Sequence, residues 1–220
     1  MMTINKISII GGTGKEGKGL AYRWAKAGFD VIIGSRQIEK ASAAAAEINS
    51  LLNNNFPNVK AMDNNSAAKE GDIVVLTIPF EFHVPMLQQI KDKIRGKILI
   101  DVTVPLAPPK VTKVQMPPAG SAGLEAKAVV EETTEVVTAF QNISYERLLS
   151  NDDIGCDVLV CGTSKEARRV VIELIKKAGM VAYDAGPIEN SVVIEGLTSI
   201  LIGINKEFGV KTAGVKIVGI

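Results

Sequence analysis

Along the chain, short and almost uninterrupted apolar runs alternate with stretches whose apolar residues recur at helical spacing. The runs are "KISIIGG", "DVIIGS", "DIVVLTI", "KILIDVT", "EVVTAF", "CDVLVCG" and "MVAYDAG". Between them the spacing predicts helices from about Lys15 to Ala27 and from about Ile38 to Leu52, the second with an "AAAA" face and a frayed "NNN" end. After "NVKAM" comes a short helix around Ser66, then helices from about Val84 to Ile94, Leu124 to Thr133, Lys165 to Ala178 and Glu189 to Phe208. Strands that are apolar on both faces need helices on both faces, and strand–helix–strand order predicts parallel pairing through right-handed crossovers. The expected fold is α/β, a Rossmann-type, doubly wound, mostly parallel sheet with a small C-terminal extension.

One connection breaks the rhythm. From Val104 to Gly123 the segment "VPLAPPKVTKVQMPPAGSAG" holds five of the nine prolines. A loop this long inside a compact domain is usually functional or mobile.

Composition narrows the function classes. The 220 residues are 46% hydrophobic with a mean hydropathy of +0.20, enough to bury a full core. Twenty-five basic residues against 24 acidic ones leave no field to gather nucleic acid or an anionic membrane surface. The opening "MMTINKISII" lacks the layout of a signal peptide, and no apolar run reaches the ~18 residues of a membrane span. A cytoplasmic protein is expected. Cys156 and Cys161, five apart on one predicted strand, should point to opposite faces, which argues against a disulfide. With His83 as the single histidine, no cluster at zinc-like spacing forms, and no metal is expected.

The chemistry-bearing motif is "IIGGTGKEGKGL". Gly12, Gly14 and Gly17 fit G-x-G-x-x-G at a strand end and a helix start, with Thr13, Lys15 and Glu16 between them. Such glycines serve a tight turn, close backbone approach to a pyrophosphate and close helix–sheet packing, while the helix N-terminus supplies free N–H groups. An NAD site usually carries Asp or Glu at the end of the second strand; here Gly34, Ser35 and Arg36 stand instead, with Lys40 one turn on. A serine hydroxyl, a guanidinium and an ammonium suit a 2′-phosphate, so the nucleotide is expected to be NADP(H). Thr77, Ile78 and Pro79 close the fourth strand at the carboxyl edge, where ligands of open α/β sheets bind. Pro79 there is either a flat apolar wall for a ligand or an ordinary strand-ending proline.

No obvious acid–base residue accompanies the nucleotide motif. His83, after "PFEF" at a helix start, reads as a surface or capping residue, and Tyr145 and Lys110 sit in irregular segments. The second substrate is expected in a cleft built from the proline loop, "FQNIS" and the tail "KTAGVKIVGI", with no residue assigned a catalytic proton transfer.

Together "GGTGKEGKGLA", "GSR" followed by Lys40, "LTIP", "VVTAF", "VCG", "DAGP" and "GVK" resemble the NADPH-dependent reductases of coenzyme F420, also called F420-dependent NADP oxidoreductases. The resemblance implies hydride exchange between NADP(H) and C5 of the deazaflavin ring. Carried over by position, Thr13 to Gly17 hold the pyrophosphate, Ser35, Arg36 and Lys40 the 2′-phosphate, and Thr77, Ile78 and Pro79 the nicotinamide half. Val104, Pro105, Gln141, Ile143, Gly214 and Val215 shape the deazaflavin pocket. Gln141 stands where some relatives carry histidine, and glutamine cannot titrate near neutrality.

Residues 1–140 are thus expected to form the NADP-binding domain and 141–220 a smaller part completing the cleft. The apolar tail either packs on its own sheet or is buried on a neighbour, and a homodimer is expected. Partners are small-molecule cofactors, with neither nucleic acid nor membrane. Two rivals remain open: an NADP-dependent reductase of flavin, ferric chelate or a small carbonyl compound, and a non-catalytic NADP sensor.

Overall fold

The computed structural model describes residues 4–53, 56–150 and 153–220; Asn54 and Asn55 of the expected "NNN" end lie outside the described residues. All seven apolar runs named above become strands of one sheet, and an eighth strand, Lys60–Asp63, forms at the end of "NVKAM". The strands are β1 (Lys6–Ile10), β2 (Asp30–Ser35), β3 (Lys60–Asp63), β4 (Ile73–Leu76), β5 (Ile98–Asp101), β6 (Glu135–Thr138), β7 (Asp157–Gly162) and β8 (Val181–Pro187). Their order across the sheet is β3-β2-β1-β4-β5-β6-β7-β8, the doubly wound order with two strands added at one edge. Every pair is parallel except β6 with β7.

The exception has a simple cause. A parallel partner requires a crossover helix, and the described residues between β6 and β7 form only the one-turn α6 (Tyr145–Leu148). The chain therefore turns over the carboxyl edge of the sheet and comes back. This turn puts residues 141–145 on the ligand-binding side.

The central strands are buried end to end, from Ile73 to Leu76 and from Ile98 to Asp101, as continuous apolar runs predict. On one face lie α1 (Lys15–Lys26), α2 (Ile38–Leu51) and α7 (Lys165–Lys177); on the other α3 (Asn64–Glu70), α4 (His83–Ile90), α5 (Ala122–Val129) and part of α8 (Ser191–Glu207). Helix α7 shows how sequence writes such an element. Ser164 caps it by accepting from the N–H of Ala167, Val171, Leu174 and Ile175 face the core, and Lys176 and Lys177 close the last turn where cations meet the helix dipole. Trp24 of α1 packs edge-on against Phe140, with ring centroids 5.7 Å apart, and donates its indole N–H to the carbonyl of Leu174. That contact ties the first crossover helix to the turn beyond β6 and to α7.

Three helices differ from expectation. Helix α4 ends at Ile90, and Lys91–Lys93 form a tighter turn of their own. Helix α5 starts at Ala122 and ends at Val129, because Ser121 caps it and Glu195 takes the N–H groups of Ala122 and Gly123, while the β-branched and acidic residues after Val130 favour no further turn. The last helix begins at Ser191, after one tight turn over Ile188–Asn190. Among the described residues no helix is long and apolar enough to cross a membrane. Both cysteines are buried and free.

Candidate functional site

The glycine fingerprint has the geometry its spacing requires. Gly11 turns the chain with φ of +70°, and a Cβ on Gly17 would lie 2.6 Å from the Cα of Gly12, so helix and strand meet backbone to backbone. Around a Cβ on Gly14, in contrast, nothing lies within 4 Å. Gly14 is also the N-cap of α1, with no side chain satisfying the first turn, so the N–H groups there are available to an anion. Gly12 and Thr13 form the turn just behind this opening. The observed cradle fits a dinucleotide pyrophosphate.

Ser35, Arg36 and Lys40 gather beside it at the carboxyl end of β2. Ser35 is buried and its Oγ accepts from the N–H of Gln37, leaving its proton to donate; Arg36 and Lys40 are exposed. The Arg36 guanidinium lies over the ring of Phe82, 4.9 Å from its centroid, a partner that sequence reading did not foresee. The corner offers two cations and a serine hydroxyl, and the strand end itself carries no carboxylate, Glu39 lying one turn on in α2 beside Lys40; this fits a 2′-phosphate.

A cleft of about 1060 Å³ runs from this cradle along the carboxyl edge of the sheet. Gly14, Lys15, Glu16 and Gly17 line one end, Thr77, Ile78 and Pro79 the middle, and Val104, Gln141 and Ile143 the other end. Of the residues expected at the second substrate, Pro105, Gly214 and Val215 do not line it. The proline loop contributes Leu106, Ala107, Pro108 and Val111, and the tail contributes Lys211 and Ala213. Gly214 sits one step further, where a Cβ would meet that of Cys156 at 2.6 Å. Tyr145 is not isolated either: it opens α6, and Lys15 reaches across to it, with Nζ 3.4 Å from the hydroxyl and 4.7 Å from the ring centroid. Glu16 is half-buried at the cradle, and burial pushes its carboxyl up to about 8.

Comparison with known proteins decides what this cleft belongs to. The family model described as NADP oxidoreductase, coenzyme F420-dependent, matches residues 6–105, from β1 to the start of the proline loop. A protein named F420-dependent NADP reductase from Methanocaldococcus jannaschii is 41% identical over 96% of this chain and 97% of its own length. Another of that name, from Methanothermobacter thermautotrophicus, is 39% identical over 97% and 95%. This chain belongs to the F420-dependent NADP reductases. Among solved structures, a candidate F420-dependent NADP reductase from Arthrobacter sp. FB24 matches with a TM-score of 0.80 at 23% identity, covering 99% of this chain and all of the other, a likeness of fold.

Behind the cleft, this F420-dependent NADP reductase carries a buried polar cluster that corrects one expectation. His83 is not a surface residue but fully buried. As the first residue of α4 it turns inward: Nε2 lies 2.7 Å from Oδ2 of Asp101 and Nδ1 lies 3.5 Å from Oε1 of Glu125. Phe80, a cleft residue, stacks on its ring at 5.9 Å between centroids. Burial alone would lower the imidazole pKa, but Asp101 and then Glu125 outweigh it, so the ring is held above its ordinary value. Asp101 itself accepts from the N–H of Thr103 at 3.0 Å through Oδ1, and its backbone oxygen accepts from the Gln141 amide at 2.8 Å. Close by, the fully buried Glu195 of α8 accepts from the N–H groups of Ala122 and Gly123 at 2.7 and 3.0 Å, and burial pushes its carboxyl up to about 8.

Proposed function

We propose that the cleft of this reductase holds NADP(H) at the glycine cradle and coenzyme F420 at the end walled by Val104, Gln141 and Ile143, and that a hydride passes directly between the two. The supporting observation is the single continuous cleft. Its size lies at the top of the range for one small-molecule site, and its two ends have different chemistry. Glycine backbone, free N–H groups and Lys15 line the first end, with Arg36 and Lys40 outside its lining at the neighbouring strand end; apolar loop residues with the amides of Gln141 and Asn142 mark the second.

The first 140 residues supply the NADP(H) half, and 141–220 complete the cleft. The N–H groups at Gly14 to Gly17 bind the pyrophosphate, with Gly12 and Thr13 shaping the turn, and Ser35, Arg36 and Lys40 bind the 2′-phosphate. Thr77, Ile78 and Pro79 form the wall against which the nicotinamide half lies. Here Pro79, which lacks an N–H, serves as flat apolar surface. Both reactants bring their own redox chemistry, so the protein's work is to hold two rings at reacting distance and keep water out. No side chain is assigned a proton transfer at the reacting carbon.

Helix α8 supports assembly as a homodimer. Val193, Ile200, Ile204 and Phe208 form an exposed apolar stripe along it, 65, 50, 39 and 71% accessible, as a face met by a second copy would be. Two buried free thiols suit a reducing, cytoplasmic setting.

The test is to mix protein, NADPH and oxidised F420 and follow the deazaflavin's visible absorbance. Bleaching with NADPH, and far slower bleaching with NADH, is the expected result. No bleaching with authentic F420, alongside turnover of flavin or ferric chelate, overturns the reading. For the dimer, Ile200→Glu should halve the mass seen by analytical ultracentrifugation.

A further inference from the structure

We propose that His83 is a positioning residue for the F420 end of the cleft: held between Asp101 and Glu125, its imidazolium fixes Asp101, whose oxygens in turn hold Gln141 and Thr103 in the cleft wall. The proposal rests on the assignment of that end to F420.

The geometry is a chain of short contacts. Asp101 ends β5 and uses three oxygens in three directions. Oδ2 meets His83, Oδ1 takes the N–H of Thr103, and the backbone oxygen takes the side-chain amide of Gln141. Thr103 and Gln141 both line the cleft, one from the strand-β5 side and one from the turn beyond β6. Fixing Asp101 therefore fixes two wall segments that are far apart in sequence. His83 itself touches no ligand, since the Phe80 ring lies against it and it has no accessible surface.

The charge state follows from what faces the ring. Asp101 from β5 and Glu125 from α5 each present a carboxylate oxygen to one ring nitrogen. Glu195 from α8 lies behind, but burial pushes its carboxyl up to about 8, so it is protonated at pH 7 and the two facing carboxylates set the charge of the ring; α4 carries no other charged residue. Only the doubly protonated ring offers an N–H to both carboxylates, because a neutral tautomer would turn a lone pair toward one of them. Loss of that proton strands the buried Asp101 carboxylate without a counter-ion. The wall it organises then loosens at alkaline pH. The pyrophosphate and 2′-phosphate contacts of NADP(H), made by α1 and the end of β2, lie outside this chain of bonds, and Thr77 of the nicotinamide wall is held by the carbonyl of Ile10 on β1 instead of by Asp101.

Because His83 is the only histidine, its ring can be read in the intact protein without assignment. The experiment pairs a 15N–1H titration of the imidazole with the pH dependence of KM for F420 and for NADPH, in the wild type and in His83→Gln. Expected are an imidazolium at pH 7 and a KM for F420 that rises at least fivefold as the ring deprotonates. The KM for NADPH should change less than twofold. In His83→Gln the KM for F420 is raised already at pH 7 and the alkaline step is gone. A neutral ring at pH 7 overturns the proposal, as does an alkaline step that survives in His83→Gln or a matching rise in the KM for NADPH. Should the variant fail to fold, coincidence of the wild-type ring titration with the wild-type KM profile decides alone. A wild type that does not bleach F420 overturns the functional reading and this proposal together, whereas active protein with a neutral ring overturns only this one.

Discussion

The guanidinium carbon of Arg36 stands 4.9 Å from the centre of the Phe82 ring, so the residue proposed to clamp the 2′-phosphate rests on a side chain 46 positions later in sequence, in the turn that follows β4. That turn, Phe80–Phe82, also sends Phe80 into the cleft and leads directly into His83. An exposed cation–π contact contributes about 0.5–1 kcal/mol. Phe82→Leu keeps the apolar bulk and removes the aromatic face. Its KM for NADPH should rise about two- to fivefold, as that energy implies, with kcat and the KM for F420 unchanged. An unaltered KM for NADPH would show that Arg36 needs no platform.

The glycines of the cradle separate binding from folding. A Cβ at Gly17 would meet the Cα of Gly12 at 2.6 Å, backbone against backbone, whereas Gly14 has open space and an unstrained φ of −73°. Gly17→Ala should therefore lower the melting temperature and NADPH affinity together. Gly14→Ala should melt like the wild type and still lose at least tenfold in NADPH affinity, because its methyl enters the space where the phosphates approach. Thermal melts and NADPH fluorescence titrations on the two variants check the split, and a large fall in melting temperature for Gly14→Ala would contradict it.

Much of this was legible in sequence, and what was not has a common cause. Continuous apolar runs announced every strand except β3, the half-exposed Lys60–Asp63, and the glycine spacing with the missing carboxylate after β2 marked out the proposed nucleotide end. Each of those signals is local, confined to one strand or one βα turn. The hidden part is non-local. His83 meets Asp101 18 residues away and Glu125 42 residues away, and Arg36 meets Phe82 across two strands, so no spacing rule links them. The lone histidine after a strand end read as a surface residue because its partners, two carboxylates on other elements, leave no trace near it. The antiparallel β7 could have been suspected, since the segment between β6 and β7 never shows a helix long enough for a crossover.

Glu195 gives a pH-dependent stability with a defined sign. Its carboxyl is raised from an ordinary 4.5 to about 8 in the folded protein, so between those values the folded state holds a proton that the unfolded state has lost. The group's contribution to stability is therefore full below about 4.5, falls as pH rises toward 8 and is level above it. Glu195→Gln removes that dependence, and it also turns an amide NH₂ toward one of the two backbone N–H groups, at a pH-independent cost of about 1–3 kcal/mol. The wild type should thus be the more stable protein at pH 5, with the gap narrowing toward pH 8. Denaturant melts at several pH values measure it, and a gap that widens with pH would mean that the two N–H donors keep the carboxylate ionised.

The tail is fastened at one buried carboxylate, and its release should loosen the F420 end of the cleft. Asp157 opens β7 with no accessible surface; its Oδ1 takes Lys216 at 2.8 Å, its Oδ2 takes the N–H of Ile217 at 2.7 Å, and its own N–H donates to Val215 at 2.7 Å. Upstream, Ser144 donates to the carbonyl of Lys211, and Ala213 donates to Asn205. Lys211 and Ala213, which line the cleft, are thus held at both sides of their segment. Burial opposes the Asp157 charge, but Lys216 and the Ile217 N–H outweigh it and hold its carboxyl below the ordinary value, so the anchor is complete at neutral pH and is lost only as pH falls through that lowered value. Asp157→Asn sets an amide donor against an existing donor and should cost about 1–3 kcal/mol. Trypsin should then cut after Lys211, and the KM for F420 should rise while NADPH binding holds. Lys216→Met removes only the exposed partner and should do much less. Equal protease sensitivity of the two variants would place the anchor in the lysine charge instead of the buried carboxylate.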